Sequence, residues 1–202
     1  MELLVATKNK KKLAEIKEIL RLPDLKITAL KDCANSPRII ENGSTFQENA
    51  VKKALKFARF TGKFTLGEDS GLCVDALGGA PGIYSSRFSG KNKSDLQNNL
   101  KLLALLQGLP PAKRKASYSC AVALADARGL VGVVEGRCSG RIGFAMKGDF
   151  GFGYDPLFVI PGYKKTFAEL GPRIKHKISH RYRALKKAKA IIEKYIEKQK
   201  AS

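Results

Sequence analysis

The apolar positions of the chain fall into short continuous runs and longer stretches spaced by three and four residues. The run ELLVA over residues 2–6 sits between polar neighbours and reads as a buried strand. Leu13, Ile16, Ile19 and Leu20 then share one helical face, which Pro23 ends. Residues 25–30 read as a second strand, so the opening β-α-β predicts a parallel pair joined by a crossover helix. Ser44 with Gln47 three residues on predicts a capped helix start. Phe46, Ala50, Ala54 and Phe57 line that helix and Gly62 stops it. Residues 64–66 read as a short strand, and 94–106 as a third helix closed by GLPP. Residues 118–125 and 130–137 flank the turn DARG and predict an antiparallel hairpin. Residues 154–160 form another extended run. Ser179 is expected to cap a long last helix that buries Leu185, Ala188, Ile192 and Tyr195. Together these predict an α/β fold with a mixed sheet and no internal repeat, and a junction at residues 110–115 is the candidate boundary between two lobes.

Composition narrows the picture. A chain of 202 residues fits one domain, or one domain with two lobes. No apolar run approaches the roughly 20 residues of a membrane helix. The start MELLVATKNK is too soon charged for a signal peptide. Cys33, Cys73, Cys120 and Cys138 form no CxxC pair, so they read as reduced core thiols rather than a zinc or redox site. The net charge of +20 either serves solubility or attracts polyanions, whether nucleic acid, nucleotides or an anionic membrane. No helix-turn-helix, zinc-finger or RRM signature accompanies it.

Four stretches carry candidate chemistry. TKNKKK, Thr7 to Lys12, lies where the first strand gives way to the first helix, a position that suits phosphate through helix N–H groups and lysine charge. It is not a Walker loop, because GxxxxGK[ST] occurs nowhere. Glu41, Glu68 and Asp69 form an acidic group that would repel phosphate unless a cation bridges it, and Mg²⁺ held by one or two carboxylates plus phosphate oxygens does so. On an extended backbone Glu68 and Asp69 would point to opposite sides. FGFGYDPLF, over residues 150–158, offers glycines for close backbone approach and Phe152 for stacking on a planar base. KHKISHR, over residues 175–181, places His180 and Arg181 in the first turn of the last helix, where their donors can read a carbonyl oxygen on a base edge.

Taken in order, ATKNKKK, ENGSTFQENA, DSGLCVDALGGAPGIYSSRFSG, FGYDPLF and KISHR resemble the inosine triphosphate pyrophosphatase family, the Ham1-like XTP/dITP diphosphatases. The resemblance implies an elongated mixed sheet flanked by helices, with two lobes and a central cleft. It implies Mg²⁺-dependent hydrolysis of ITP, dITP and XTP to the monophosphate and pyrophosphate, by a cytoplasmic homodimer with no nucleic-acid or membrane partner. By position, Thr7, Lys8, Asn9, Lys10, Lys11 and Lys12 would hold the triphosphate. Asp69 would be the catalytic carboxylate, Glu41 and Asp69 the acids nearest the metal, and Ser70 a substrate contact. Phe152, Gly153, Tyr154 and Asp155 match the base-and-ribose segment, Lys175 a phosphate contact, and His180 with Arg181 the pair that checks the keto edge. Two departures stand out: many members read DDSG where this chain has Glu68-Asp69-Ser70-Gly71, and Lys8 stands where members often carry glycine. Two rival readings remain, a nucleic-acid binder without turnover and a related pyrophosphatase of modified pyrimidines.

Overall fold

The computed structural model describes residues 1–33, 35–90 and 94–201. The opening β-α-β is present as β1 (Glu2–Val5), α1 (Lys10–Ile19) and β2 (Lys26–Ala29), with β1 and β2 parallel and Leu3 opposite Ile27. After α2 (Phe46–Thr61), β3 (Thr65–Val74) runs parallel to β1, with Val5 opposite Leu66. There follow α3 (Asp95–Leu105), β4 (Lys115–Asp126), β5 (Gly129–Ile142), β6 (Phe158–Ile160), β7 (Lys165–Thr166), α4 (Phe167–Ile178) and α5 (His180–Lys200). The strands form a seven-stranded sheet in the order β2-β1-β3-β4-β5-β6-β7, parallel where β1 meets its two neighbours and antiparallel across β5-β6-β7. This is the mixed α/β sheet flanked by helices that the patterning predicts. Among the described residues no helix is long and apolar enough to cross a membrane.

The chain divides into two compact units. The first comprises Met1–Asp69, Cys120–Gly136 and Arg181–Ser202, and the second Ser70–Ser119 and Arg137–His180. The chain passes from one to the other within β3, β4 and β5 and after the first residue of α5, so no linker composition marks the division. The junction at residues 110–115 lies inside the second unit.

In the first unit the apolar stripes of α1 and α5 close on the sheet. Ile16 and Leu20 meet Leu3, Val5, Leu66, Val122 and Leu124, and Leu185, Ala188 and Ile192 complete the cluster. A second contact decides where the acids stand. Ala50, Ala54 and Ala58 of α2 meet Ala121, Ala123 and Ala125 of β4, and side chains this small let helix and sheet approach closely. Gly67 marks the closest approach, because a Cβ there would stand 2.6 Å from the Ala54 backbone nitrogen. The second unit buries Leu72, Val74, Leu102, Leu106, Leu157, Phe158 and Phe167 around Tyr118, whose ring centroid is 4.7 Å from that of Phe158.

Several boundaries differ from those read in the sequence. The α2 cap is Thr45 rather than Ser44: Thr45 Oγ1 accepts from the Glu48 N–H at 3.0 Å, and Glu48 Oε2 accepts from the Ser44 N–H at 2.8 Å. An acid in the first turn also suits the helix dipole better than Gln47 does. The strand expected over 64–66 extends to Val74, so Glu68 and Asp69 lie on a strand and not in a turn. The run expected over 154–160 is extended only from Phe158, because the Leu157 and Phe158 N–H groups turn back to the Tyr154 carbonyl at 3.0 Å. Helix α4 is absent from the sequence reading, since Gly171-Pro172 looks like a break. Thr166 and Glu169 cap it reciprocally, and Gly171 takes up the kink at φ +70°.

Candidate active site

The neighbouring acids of β3 point to opposite sides of the strand and meet different cations. Glu68, 2% exposed, accepts from Lys12 Nζ of α1 at 2.8 Å and from Arg181 Nη2 of α5 at 3.1 Å. Asp69, 7% exposed, accepts from Lys53 Nζ of α2 at 3.0 Å and from Asn49 Nδ2 at 3.3 Å. Asn49 and Lys53 are four residues apart on α2, hence on one face of it. The same Lys53 ammonium donates to Glu41 at 2.9 Å, so it bridges two carboxylates. All of these groups belong to the first unit.

The electrostatics follow from burial opposed by pairing. Burial raises the Asp69 pKa above the usual carboxylate range; Lys53 and Lys12 only partly offset it, and the neighbouring Glu68 adds to it. Burial also works against the Glu41 carboxylate, but Lys53 and Lys12 outweigh it and hold that group below its ordinary value. Burial disfavours the Lys53 ammonium, yet Asp69, Glu41 and Glu68 together raise its pKa.

The amino-terminal motif is only partly directed inward. Asn9 caps α1, its Oδ1 accepting from the Lys11 and Lys12 N–H groups at 2.9 and 3.1 Å, so two N–H groups expected to stay open for phosphate already have a partner. Thr7 Oγ1 accepts from the Asn9 N–H at 3.2 Å. Lys8, Lys10 and Lys11 are exposed, whereas Lys12 turns to Glu68.

In the second unit Ser70 is half-buried on β3. Phe152 lies beneath Lys175, whose Nζ is 4.5 Å from the ring centroid. The same Nζ donates to Asp155 Oδ2 at 2.6 Å, and that oxygen also accepts from the Phe152 N–H at 2.9 Å. Gly153 is held from both sides by α3: its N–H donates to Asp95 Oδ2 at 2.8 Å, and its carbonyl accepts from Asn99 Nδ2 at 2.8 Å. Tyr154 is buried, its hydroxyl donating to the Ser85 carbonyl at 2.8 Å and its N–H to Tyr118 Oη at 3.1 Å. His180 stacks on Tyr118, centroids 4.6 Å apart. The unit boundary falls between His180 and Arg181, and Arg181 directs its guanidinium to Glu15 and Glu68.

The sequence reading missed Glu15, Asn49, Lys53, Asp95 and Asn99, and it read Cys120 only as a core thiol. Lys53 left a signal, as a charge next to Ala54 on the stripe of Ala50 and Phe57, where a solvated lysine has no place. A divalent ion fits the donor chemistry of Glu41 and Asp69, two hard carboxylates that converge on a single cation. Among the described residues no group of three or more His, Cys, Asp or Glu side chains is arranged as a metal cage. The fit is therefore to an ion that takes its other ligands from substrate and water.

Comparison with known proteins adds to this geometry. The model of the Ham1 family matches residues 3–191. A "dITP/XTP pyrophosphatase" of Desulforamulus reducens is 48% identical over 96% of this chain and 96% of its own length. One of Rhodopirellula baltica with the same description is 46% identical over 92% and 89%. Among solved structures, a HAM1 protein from Coxiella burnetii superimposes with a TM-score of 0.87 at 38% identity, covering 96% of this chain and 99% of that one.

Proposed function

The chain belongs to the Ham1 family, and from that membership and the geometry of β3 we propose that it is a nucleoside-triphosphate diphosphatase that clears ITP, dITP and XTP. Each is hydrolysed to the monophosphate and pyrophosphate. The observation that carries the reading is Asp69, a buried carboxylate of raised pKa held by Lys53 and Asn49 and sharing its ammonium with Glu41. In this reading the Asp69 carboxylate accepts a proton from water as the water oxygen bonds to the α-phosphorus. The bond from that phosphorus to the bridging oxygen breaks, and pyrophosphate leaves. Lys12, from the motif read as phosphate-binding, and Lys53 offset the charge that develops on the leaving group.

Glu41 and Asp69 would hold Mg²⁺, which when bound screens the phosphate oxygens and polarises them. Phe152, Gly153, Tyr154, Asp155, Lys175 and His180 are the contacts the reading assigns to the second unit, with Ser70. Arg181 is assigned to the keto edge, a role its five-donor guanidinium would combine with the two carboxylates it already meets. A homodimer in the cytoplasm completes the reading and rests on family resemblance alone.

The test is pyrophosphate release from ITP, dITP, XTP, GTP and ATP, with and without Mg²⁺. Turnover of the keto purines is expected, with ATP slower by about a hundredfold or more, because a donor built for a keto oxygen meets an amino group instead. Equal rates on ATP would remove the keto-reading role. Absence of all turnover, with salt-dependent duplex binding, would return the +20 charge to a polyanion-binding function.

A further inference from the structure

Glu68 points to the other side of β3 from the bridge between Lys53, Glu41 and Asp69, and it acts on that bridge through its charge. It lies in a circuit of alternating charge that runs from Lys12 through Glu68 and Arg181 to Glu15. Lys12 donates to Glu68 Oε2 at 2.8 Å, and Arg181 Nη2 donates to Glu68 Oε1 at 3.1 Å. Arg181 Nη1 also donates to Glu15, which lies three residues from Lys12 on α1. Cys120 of β4 adds a donor, its thiol 3.4 Å from Glu68 Oε1. Only 2% of the Arg181 side chain and 1% of Glu68 is exposed, so water cannot replace either partner. A buried arginine deprived of a carboxylate is strongly destabilised, so where Arg181 can stand depends on Glu68, and Lys12 depends on the same carboxylate.

We propose that Glu68 is a positioning residue that fixes Lys12 and Arg181 to one another, and that it does not hold metal. The consequence, which rests on the functional reading above, is that phosphate contact at Lys12 and base discrimination at Arg181 are coupled through a single carboxylate. A change at one end is felt at the other because both bond to one group.

The experiment is Glu68→Gln in the full chain, with Glu68→Asp as the conservative partner. Steady-state rates on ITP and ATP are measured across a Mg²⁺ titration. For Glu68→Gln the kcat/KM ratio of ITP over ATP is expected to fall about tenfold or more, while the half-saturating Mg²⁺ concentration stays within about twofold. Glu68→Asp, which keeps the charge, is expected to recover most of the ratio. A shift of half-saturating Mg²⁺ by about tenfold with the ratio intact would make Glu68 a metal ligand. Unchanged kinetics would reduce it to scaffold. Either result overturns the proposal. A second readout needs no turnover: side-chain nitrogen NMR of Arg181 in folded protein, where loss of Glu68 should speed rotation of the guanidinium. An unchanged Arg181 signal in Glu68→Gln refutes the circuit. A protein inactive on ITP whose Arg181 signal still responds to Glu68→Gln would defeat the functional reading and leave the circuit standing.

Discussion

Replacing Lys53 by methionine keeps an unbranched side chain, one atom shorter, on the buried face of α2 and removes the ammonium that Glu41 and Asp69 share. A cation within 4–6 Å lowers an aspartate pKa by about 1–3 units, and this one stands 3.0 Å from Asp69 Oδ1. Asp69 is already raised by burial with Lys53 present, so removal of the ammonium should lift its pKa further. Glu41, with 40% of its side chain exposed, is screened by solvent and should rise less. The assay is a carboxyl-carbon NMR titration of the metal-free, folded protein, wild type against Lys53→Met. The sign carries to catalysis, because a base works only when ionised. Activity is then lost as pH falls through the raised value, and Lys53→Met moves that loss to higher pH. The reasoning fails if Asp69 in the wild type titrates at or below about 3.9, the ordinary aspartate value. It fails equally if Lys53→Met leaves the Asp69 titration where it was.

Other outcomes follow from the same geometry. Asp69→Asn keeps the shape of the side chain but not its basicity. Its kcat should fall by about a hundredfold or more at unchanged fold, and near wild-type turnover in single-turnover kinetics would take the base role away. Gly67→Ala forces a methyl group against the α2 backbone, 2.6 Å from the Ala54 nitrogen, and should lower Tm by roughly 3–10 °C in calorimetry; an unchanged Tm would mean that β3 and α2 separate freely. Chelation with EDTA should abolish pyrophosphate release and added Mg²⁺ should restore it, whereas undiminished release in chelator would strip Glu41 and Asp69 of a metal.

Local pattern was enough for much of this chain. The apolar spacing of α1 and α5, the parallel opening and the cysteines without CxxC pairing are visible in the residues because each depends on near neighbours and on period. Glu68-Asp69 was visible as an electrostatic problem: two acids side by side need positive charge. What the sequence could not decide was which charge. Lys12 and Arg181 lie far from Glu68 along the chain, and Lys53 reaches Asp69 only because alanines and Gly67 let α2 approach the sheet closely. Asn9 was read as a phosphate donor; a helix start also needs a cap, which its carbonyl oxygen supplies while the donor reading concerns its amide nitrogen. Helix α4 was hidden because glycine-proline reads as a break until the kink at Gly171 is seen to absorb it. By itself the sequence determined the elements and the charges present; the packing of α2, β3 and α5 alone decided which charges meet, because ion pairing depends on distance in space and sequence separation does not encode it.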